Sequence, residues 1–155
     1  MQPNRNQLFT NLILVLFRAN GRMIEWGEHF AAPSELTSAR WQMLGALALA
    51  DKPLSTPQIA LSMGVTRQAS QKQLNLLVAD GLIEKLPNPG HRRSPLYRLS
   101  QRGEQTYRRL EGRWQTHVEA IAEHFPASDL ETAQRLLSKL VELHAPGAGE
   151  NGNEA

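Results

Sequence analysis

Five polar side chains, Arg67, Gln68, Gln71, Lys72 and Asn75, share one side of the segment Thr66–Ala79 when it is wound as an α-helix. Leu74, Leu77 and Val78 take the other side, towards a core. Such a polar set can read nucleic acid: Arg bonds guanine O6 and N7, Gln and Asn pair with adenine N6 and N7, and Lys neutralises phosphate. Gln and Lys are also good helix formers, so a merely solvated face would use the same residues. A second basic cluster, His91-Arg92-Arg93, follows in a turn-rich stretch. Two adjacent guanidinium groups at a loop tip suit the narrow, negative minor groove, although a basic turn can also serve solubility alone.

Other chemistries find little support. The chain has no cysteine, which removes thiolate metal sites, disulfides and nucleophilic thiols. It has no Gly-rich phosphate loop, no Gly-x-Ser-x-Gly turn and no His-Glu-x-x-His helix, so we expect neither an enzyme nor a cofactor. His117 and His124 lie two helical turns apart, about 10 Å, too far to share one ion, and no metal site is expected. Trp26, His29, Arg40 and Trp41 could line a ligand pocket between the first two helices and a partner; core or interface packing would use the same residues.

The charge is unevenly placed. Over 155 residues, 17 Lys and Arg oppose 15 Asp and Glu, a net of only +2. Residues 66–113 nevertheless hold ten basic and four acidic side chains, whereas residues 114–155 hold two and seven. A basic middle beside an acidic end suggests one face that meets phosphate and one that does not. With 41% hydrophobic and 21% charged residues the composition is that of a globular protein, and the length suits one domain or one with extra helices. The longest apolar run, Leu12–Phe17, is six residues where a membrane span needs about 20, and no signal-peptide cleavage pattern follows it. We therefore expect a cytoplasmic protein with no membrane partner.

The elements that must position these residues are mostly helices. Leu8 to Phe17 is apolar nearly all round, and the signal continues through Met23, Ile24, Trp26 and Phe30. This predicts either a helix ending at Asn20-Gly21 or one long helix kinked near Gly21 or Gly27, stopped in both cases by Pro33. Thr37 caps a second helix bearing Trp41, Leu44, Leu47 and Ala48, closed by Asp51-Lys52-Pro53. Ser55-Thr56-Pro57-Gln58 is a capping box for a short helix to Met63; Gly64 ends it, and Thr66 caps a fourth helix reaching about Asp80. Two helices joined by a few residues containing Gly form a helix-turn-helix. Leu82–Leu86 and Pro95–Leu99 read as a hairpin around the basic loop. Ser100 caps a fifth helix carrying Tyr107, Leu110, Trp114, Val118, Ile121 and Phe125 up to Pro126. Ser128-Asp129-Leu130-Glu131 is a capping box for a sixth. The Pro-, Gly- and Asn-rich end reads as a disordered tail.

Leu36-Thr37, Trp41, Leu44, the capped Ser55–Ala60 helix, Gly64-Val65-Thr66-Arg67, Asp80-Gly81-Leu82-Ile83, Asn88–Arg93 and Leu99–Gly103 occur in the order seen in the multiple-antibiotic-resistance regulator (MarR) family. The chain resembles that family over roughly residues 36–103. The resemblance implies a mainly α fold: a winged helix-turn-helix with a two-stranded β wing, and N- and C-terminal helices that form a dimerisation region. It implies a homodimer on pseudo-palindromic double-stranded DNA, usually a repressor released by a small aromatic or anionic effector. The expected DNA contacts are Ser55, Thr56, Thr66, Arg67, Gln68, Gln71, Lys72, Asn75, His91, Arg92 and Arg93, with Arg93 as the wing arginine. Two positions depart from the family pattern, since His91 stands where an acid commonly orients that arginine and Asn88 replaces a frequent Asp. A neutral or protonated imidazole cannot accept as a carboxylate does. The expected organisation is an N-terminal dimerisation helix in 1–35, the DNA-binding domain in 36–100, dimerisation helices in 101–144 and a tail in 145–155. A winged-helix dimer serving protein contact alone is the alternative; the basic middle segment argues against it.

Overall fold

In the computed structural model, which describes residues 4–146, helices dominate and a small antiparallel sheet completes the fold. Two compact units divide after Gly112, within the fifth helix.

The first unit opens with α1 (Arg5–Ala31), whose 27 residues run without interruption through Asn20-Gly21 and Gly27. Asn4 caps it by accepting from the Gln7 N–H at 2.9 Å. Gly27 has a packing role: an added Cβ would come within 2.5 Å of Ser38 Oγ, so the bare backbone lets α1 approach α2 (Ser38–Leu49). There Glu28 Oε1 accepts from the Ser38 N–H at 3.1 Å, satisfying one of the orphan donors of α2 from α1. Pro33 lies in a short 3-10 turn, Ala32–Ser34, that ends α1. Thr37 then caps α2, its Oγ1 accepting from the Arg40 N–H at 3.2 Å.

β1 (Leu54–Ser55) leads into α3 (Thr56–Met63), and Gln58 Oε1 accepts from the Ser55 N–H at 2.9 Å across the expected box. Gly64, at φ 66°, adopts the left-handed conformation that closes α3. α4 (Arg67–Ala79) starts at Thr66, whose hydroxyl oxygen accepts from the Ala69 N–H at 3.0 Å. Gly81, at φ 71°, turns the chain out of α4 into β2 (Ile83–Leu86), which pairs with β3 (Leu96–Leu99). β2 and β3 are the expected two-stranded wing, and β1 adds a third strand to the sheet, in the order β1-β3-β2, with Leu54 opposite Tyr97 and Ile83 opposite Leu99. The two extended residues ahead of α3 pair with β3 and satisfy backbone groups that its edge would otherwise leave open.

Met43 and Leu44 of α2, Ile59 of α3, Leu74 and Leu77 of α4, and Tyr97 of β3 are buried together with Leu110 of α5 (Gln101–Ala122). Val78 does not join them and remains 37% exposed, while the small Ser70 is fully buried on that side of α4. The Ser100 hydroxyl accepts from the Gly103 N–H at 3.0 Å and donates to the Gly81 carbonyl at 2.7 Å, so the cap of α5 is tied to the end of α4.

In the second unit α5 ends at Ala122, before the expected Phe125. The N–H groups of His124 and Phe125 turn back to the carbonyls of Ile121 and Ala122, and Phe125 precedes a proline, a position disfavoured in the helical region. The Ser128 box is also corrected. α6 (Ala127–Leu143) has Pro126 as its N-cap, whose carbonyl accepts from the Asp129 N–H at 3.0 Å, so Ser128 already lies inside the first turn. α6 buries none of its residues, and Val141 is 71% exposed. Among the described residues no helix is long and apolar enough to cross a membrane. The expected tail from residue 147 onward lies outside the described residues.

Candidate nucleic-acid interface

The start of α3, the first two turns of α4 and the wing enclose one open groove of about 660 Å³. Arg67 and Gln68 line it from α4, and His91 and Arg93 from the wing. Lys72 and Asn75 are exposed one and two turns further along α4, and Arg92 is exposed at the loop tip. The polar face read from the sequence and the basic loop are therefore neighbours in space, although about 20 residues of chain separate them.

Three expected contacts are engaged within the protein. Ser55 and Thr56 are buried, at 9% and 7% exposure. The Ser55 hydroxyl donates to Gln58 Oε1 at 3.1 Å, and that of Thr56 donates to Gln71 Oε1 at 2.9 Å. Gln71 is itself half-buried and donates to Asn75 Oδ1 at 2.9 Å and to the Tyr97 hydroxyl at 3.1 Å. Sequence periodicity put Gln71 on the polar face correctly, but not its link to β3, which depends on a strand 26 residues away.

The wing loop is organised by Asn88. Its Oδ1 accepts from the Gly90 N–H at 3.2 Å, and its Nδ2 donates to the Ser94 carbonyl at 2.8 Å. An Asp could make the first bond but not the second, which gives the Asn at this position a structural purpose. The His91 N–H bonds the Asn88 carbonyl at 3.1 Å, and the Ser94 N–H bonds the His91 carbonyl at 3.0 Å. Among the described residues no ion pair engages Arg67, Lys72, Arg92 or Arg93, so these cations face outward uncompensated. Asn88, Ser94 and Pro95 also line the groove and were missing from the expected contacts. Their signal was the Asn-Pro-Gly turn, which reads as loop chemistry rather than as a binding wall.

Trp26 and Trp41 approach each other where α1 meets α2, with ring centres 6.3 Å apart. Trp26 stacks on Phe30 with ring centres 4.9 Å apart, and Phe30 meets Trp41 at 4.6 Å, so these rings pack on one another. Trp26 and His29 line a shallow depression with Arg22 and Glu25. Arg40 is directed elsewhere. Its side chain is 18% exposed, and the guanidinium pairs with Asp80 at the end of α4 at 3.0 Å.

Comparison with known proteins agrees with this geometry. Residues 34–94 match the model of the MarR family. Over 92 residues the chain is 42% identical to uncharacterized proteins of Mycobacterium tuberculosis and Mycobacterium bovis. That stretch covers 59% of this chain and 63% of each relative, a little under two thirds of the relatives' length. Among solved structures, a mutant MarR from E. coli complexed with operator DNA is similar at a TM-score of 0.71 and 21% identity, covering 89% of this chain and 99% of that one. CouR from Rhodococcus jostii RHA1 bound to p-coumaroyl-CoA is similar at 0.74 and 16% identity, covering 84% and 91%. AbsC from Streptomyces coelicolor, a MarR family transcriptional regulator, is similar at 0.75 and 14% identity, covering 92% and 96%. At these identities the likeness is one of fold.

Proposed function

We propose that this chain, a MarR-family winged-helix protein by its residues 34–94, is a DNA-binding transcriptional regulator rather than an enzyme. The observation that carries the reading is the groove in which Arg67 and Gln68 of α4 face the Arg93 wing, with no internal ion pair engaging either arginine among the described residues. α4 enters the major groove with Arg67, Gln68, Lys72 and Asn75 towards the bases and phosphates, Thr66 sets the start of that helix, and the wing brings Arg93 to the minor groove. Arg92 meets phosphate and His91 lies beside it. Ser55 and Thr56 line the same groove and hold its wall through their bonds to Gln58 and Gln71.

The protein acts as a homodimer on an inverted repeat. Phe17 of α1 is 69% exposed, and Leu14, Val15, Met23 and Ile24 are also exposed, apolar side chains that a partner would bury. A second copy covers that surface and the apolar side of α6, which assigns 1–35 and 101–144 to dimerisation and 36–100 to DNA. Each recognition helix then meets a major groove about 34–36 Å from its mate. The regulator is a repressor, and a small aromatic or anionic effector near Trp26 and His29 releases it; the CouR neighbour bound to p-coumaroyl-CoA supports an effector of this kind. Selection of bound fragments from randomised duplex DNA tests the reading. Enrichment of an inverted repeat with half-sites one turn apart is expected, and no enrichment over the input overturns it.

A further inference from the structure

Gln71 sits where α3, α4 and the wing meet, and its carboxamide is held on three sides. Oε1 accepts from the Thr56 hydroxyl at 2.9 Å, and Nε2 donates both to the Tyr97 hydroxyl at 3.1 Å and to Asn75 Oδ1 at 2.9 Å. A primary amide has two N–H donors, and both are used. Thr56 and Tyr97 are buried, at 7% and 1% exposure, so swinging Gln71 out to a base would strip a partner from two largely buried hydroxyl groups. Such a move is opposed wherever the groove is closed over DNA.

We propose that Gln71 is a positioning residue and not a base reader: it joins α3, α4 and the wing into one body and, by drawing Asn75 Oδ1 towards itself, orients the Asn75 amide to present its Nδ2 protons to DNA. This rests on the DNA-binding reading above. Bidentate recognition of adenine needs an amide oxygen to accept from N6 and an amide nitrogen to donate to N7. Gln71 takes one of the two lone pairs of Oδ1 and holds that oxygen on its own side, which leaves Nδ2 as the wholly unengaged end of the exposed Asn75 amide among the described residues. The Nδ2 protons suit bases that present acceptors in the major groove, guanine through O6 and N7 or thymine through O4. Specificity at that position is therefore set by a residue that does not touch the base.

The test compares base preferences of the full chain and three variants, Asn75→Ala, Gln71→Ala and Tyr97→Phe, by selection from randomised duplexes. Asn75→Ala is expected to abolish preference for guanine or thymine at one position per half-site, on the order of tenfold. Gln71→Ala is expected to act at that same position, shifting it towards adenine as Oδ1 is freed, and Tyr97→Phe, which removes one anchor of the Gln71 amide, to weaken the preference there; both leave the other positions intact. Loss of preference at a different position in Gln71→Ala makes Gln71 a direct reader and overturns the proposal, as does adenine at the Asn75 position of the parent. A DNA-free measurement keeps the lock testable if a variant fails to fold. In the unmodified protein the Gln71 side-chain amide protons should exchange with solvent at least several-fold more slowly than those of exposed Gln68, and equal rates overturn the lock. A chain that selects no duplex overturns the DNA-binding reading and the base preference with it, while amide exchange still decides the lock.

Discussion

Replacing Gly103 by Ala is the sharpest test of how the wing domain is assembled. A Cβ on Gly103 would overlap the Leu82 carbonyl oxygen and lie 2.9 Å from the carbonyl carbon, where an ordinary contact is about 3.5 Å or more. The obstruction is backbone and cannot rotate away, so α5 must move off the start of β2. Three hydrogen bonds cross this joint: Ser100 N–H to the Leu82 carbonyl at 3.0 Å, Ser100 Oγ to the Gly81 carbonyl at 2.7 Å, and Arg102 to the Asp80 carbonyl at 2.8 Å. Overpacking costs about 1–3 kcal/mol and each weakened bond about 1 kcal/mol, so a loss of roughly 3–5 kcal/mol is expected. Against a total stability of about 5–15 kcal/mol that is a large fraction. Urea unfolding followed by circular dichroism should show a lowered midpoint with little change in slope. Gly45→Ala supplies the contrast, because the new methyl would meet only Tyr107 Cε2 at an ordinary 3.6 Å inside α2, and it should gain about 0.5–1 kcal/mol. A Gly103→Ala protein within about 1 kcal/mol of the parent would refute this account of the joint.

Ser70→Ala should be neutral or stabilise by up to about 1 kcal/mol, since the buried hydroxyl has no partner among the described residues; a clear loss in urea unfolding would contradict that. Asn88→Asp removes the donor to the Ser94 carbonyl, and faster amide exchange in residues 90–94 together with several-fold weaker operator binding is expected, while unchanged exchange would exclude Asn88 as the organiser of the wing. Burial, then the Glu111 charge, then the hydrogen bond to Glu111 raise the Tyr107 hydroxyl above its usual 10.0. The folded state keeps that proton longer than the unfolded chain does, so the contribution is complete below about pH 10 and is lost as pH rises through the folded value. Tyr107→Phe should flatten this alkaline fall, and an unaltered profile would remove Tyr107 as its cause. Lys72→Ala and Arg93→Ala should weaken binding to all duplexes alike and lower the salt slope by about one, whereas Arg67→Ala or Gln68→Ala should cost on the order of 1–3 kcal/mol on the selected site alone.

Local rules made much of this legible in advance. Thr37, Thr66 and Ser100 cap helices because short side-chain oxygens beside a helical period have few other uses, and Gly64 and Gly81 end helices because each sits where a positive φ is needed. What the sequence did not disclose depends on partners distant along the chain. β1 is two residues long and exists only because β3 offers an edge. Ser128 fits the capping pattern as well as Ser55 does, yet Pro126 has already started α6. Arg40, expected beside a ligand, pairs with Asp80, 40 residues away. Gln71 has the right helical face for reading a base, but its contacts with Thr56 and Tyr97 are tertiary.

α4 is fixed at both ends, and this constrains how a signal could reach it. At its start the Thr56–Gln71–Tyr97 contacts tie it to α3 and the wing. At its end the Arg40 guanidinium meets the Asp80 side chain and Arg102 meets the Asp80 carbonyl, two cations where the helix dipole favours positive charge. α2 carries Arg40, and α1 supplies Glu28 to the start of α2, so two polar contacts link α1 to the far end of α4. A helix clamped in this way does not bend alone; it moves with its domain. In the proposed dimer, regulation then follows from the separation of the two reading heads, because half-sites one helical turn apart set a distance of about 34–36 Å that both domains must match at once.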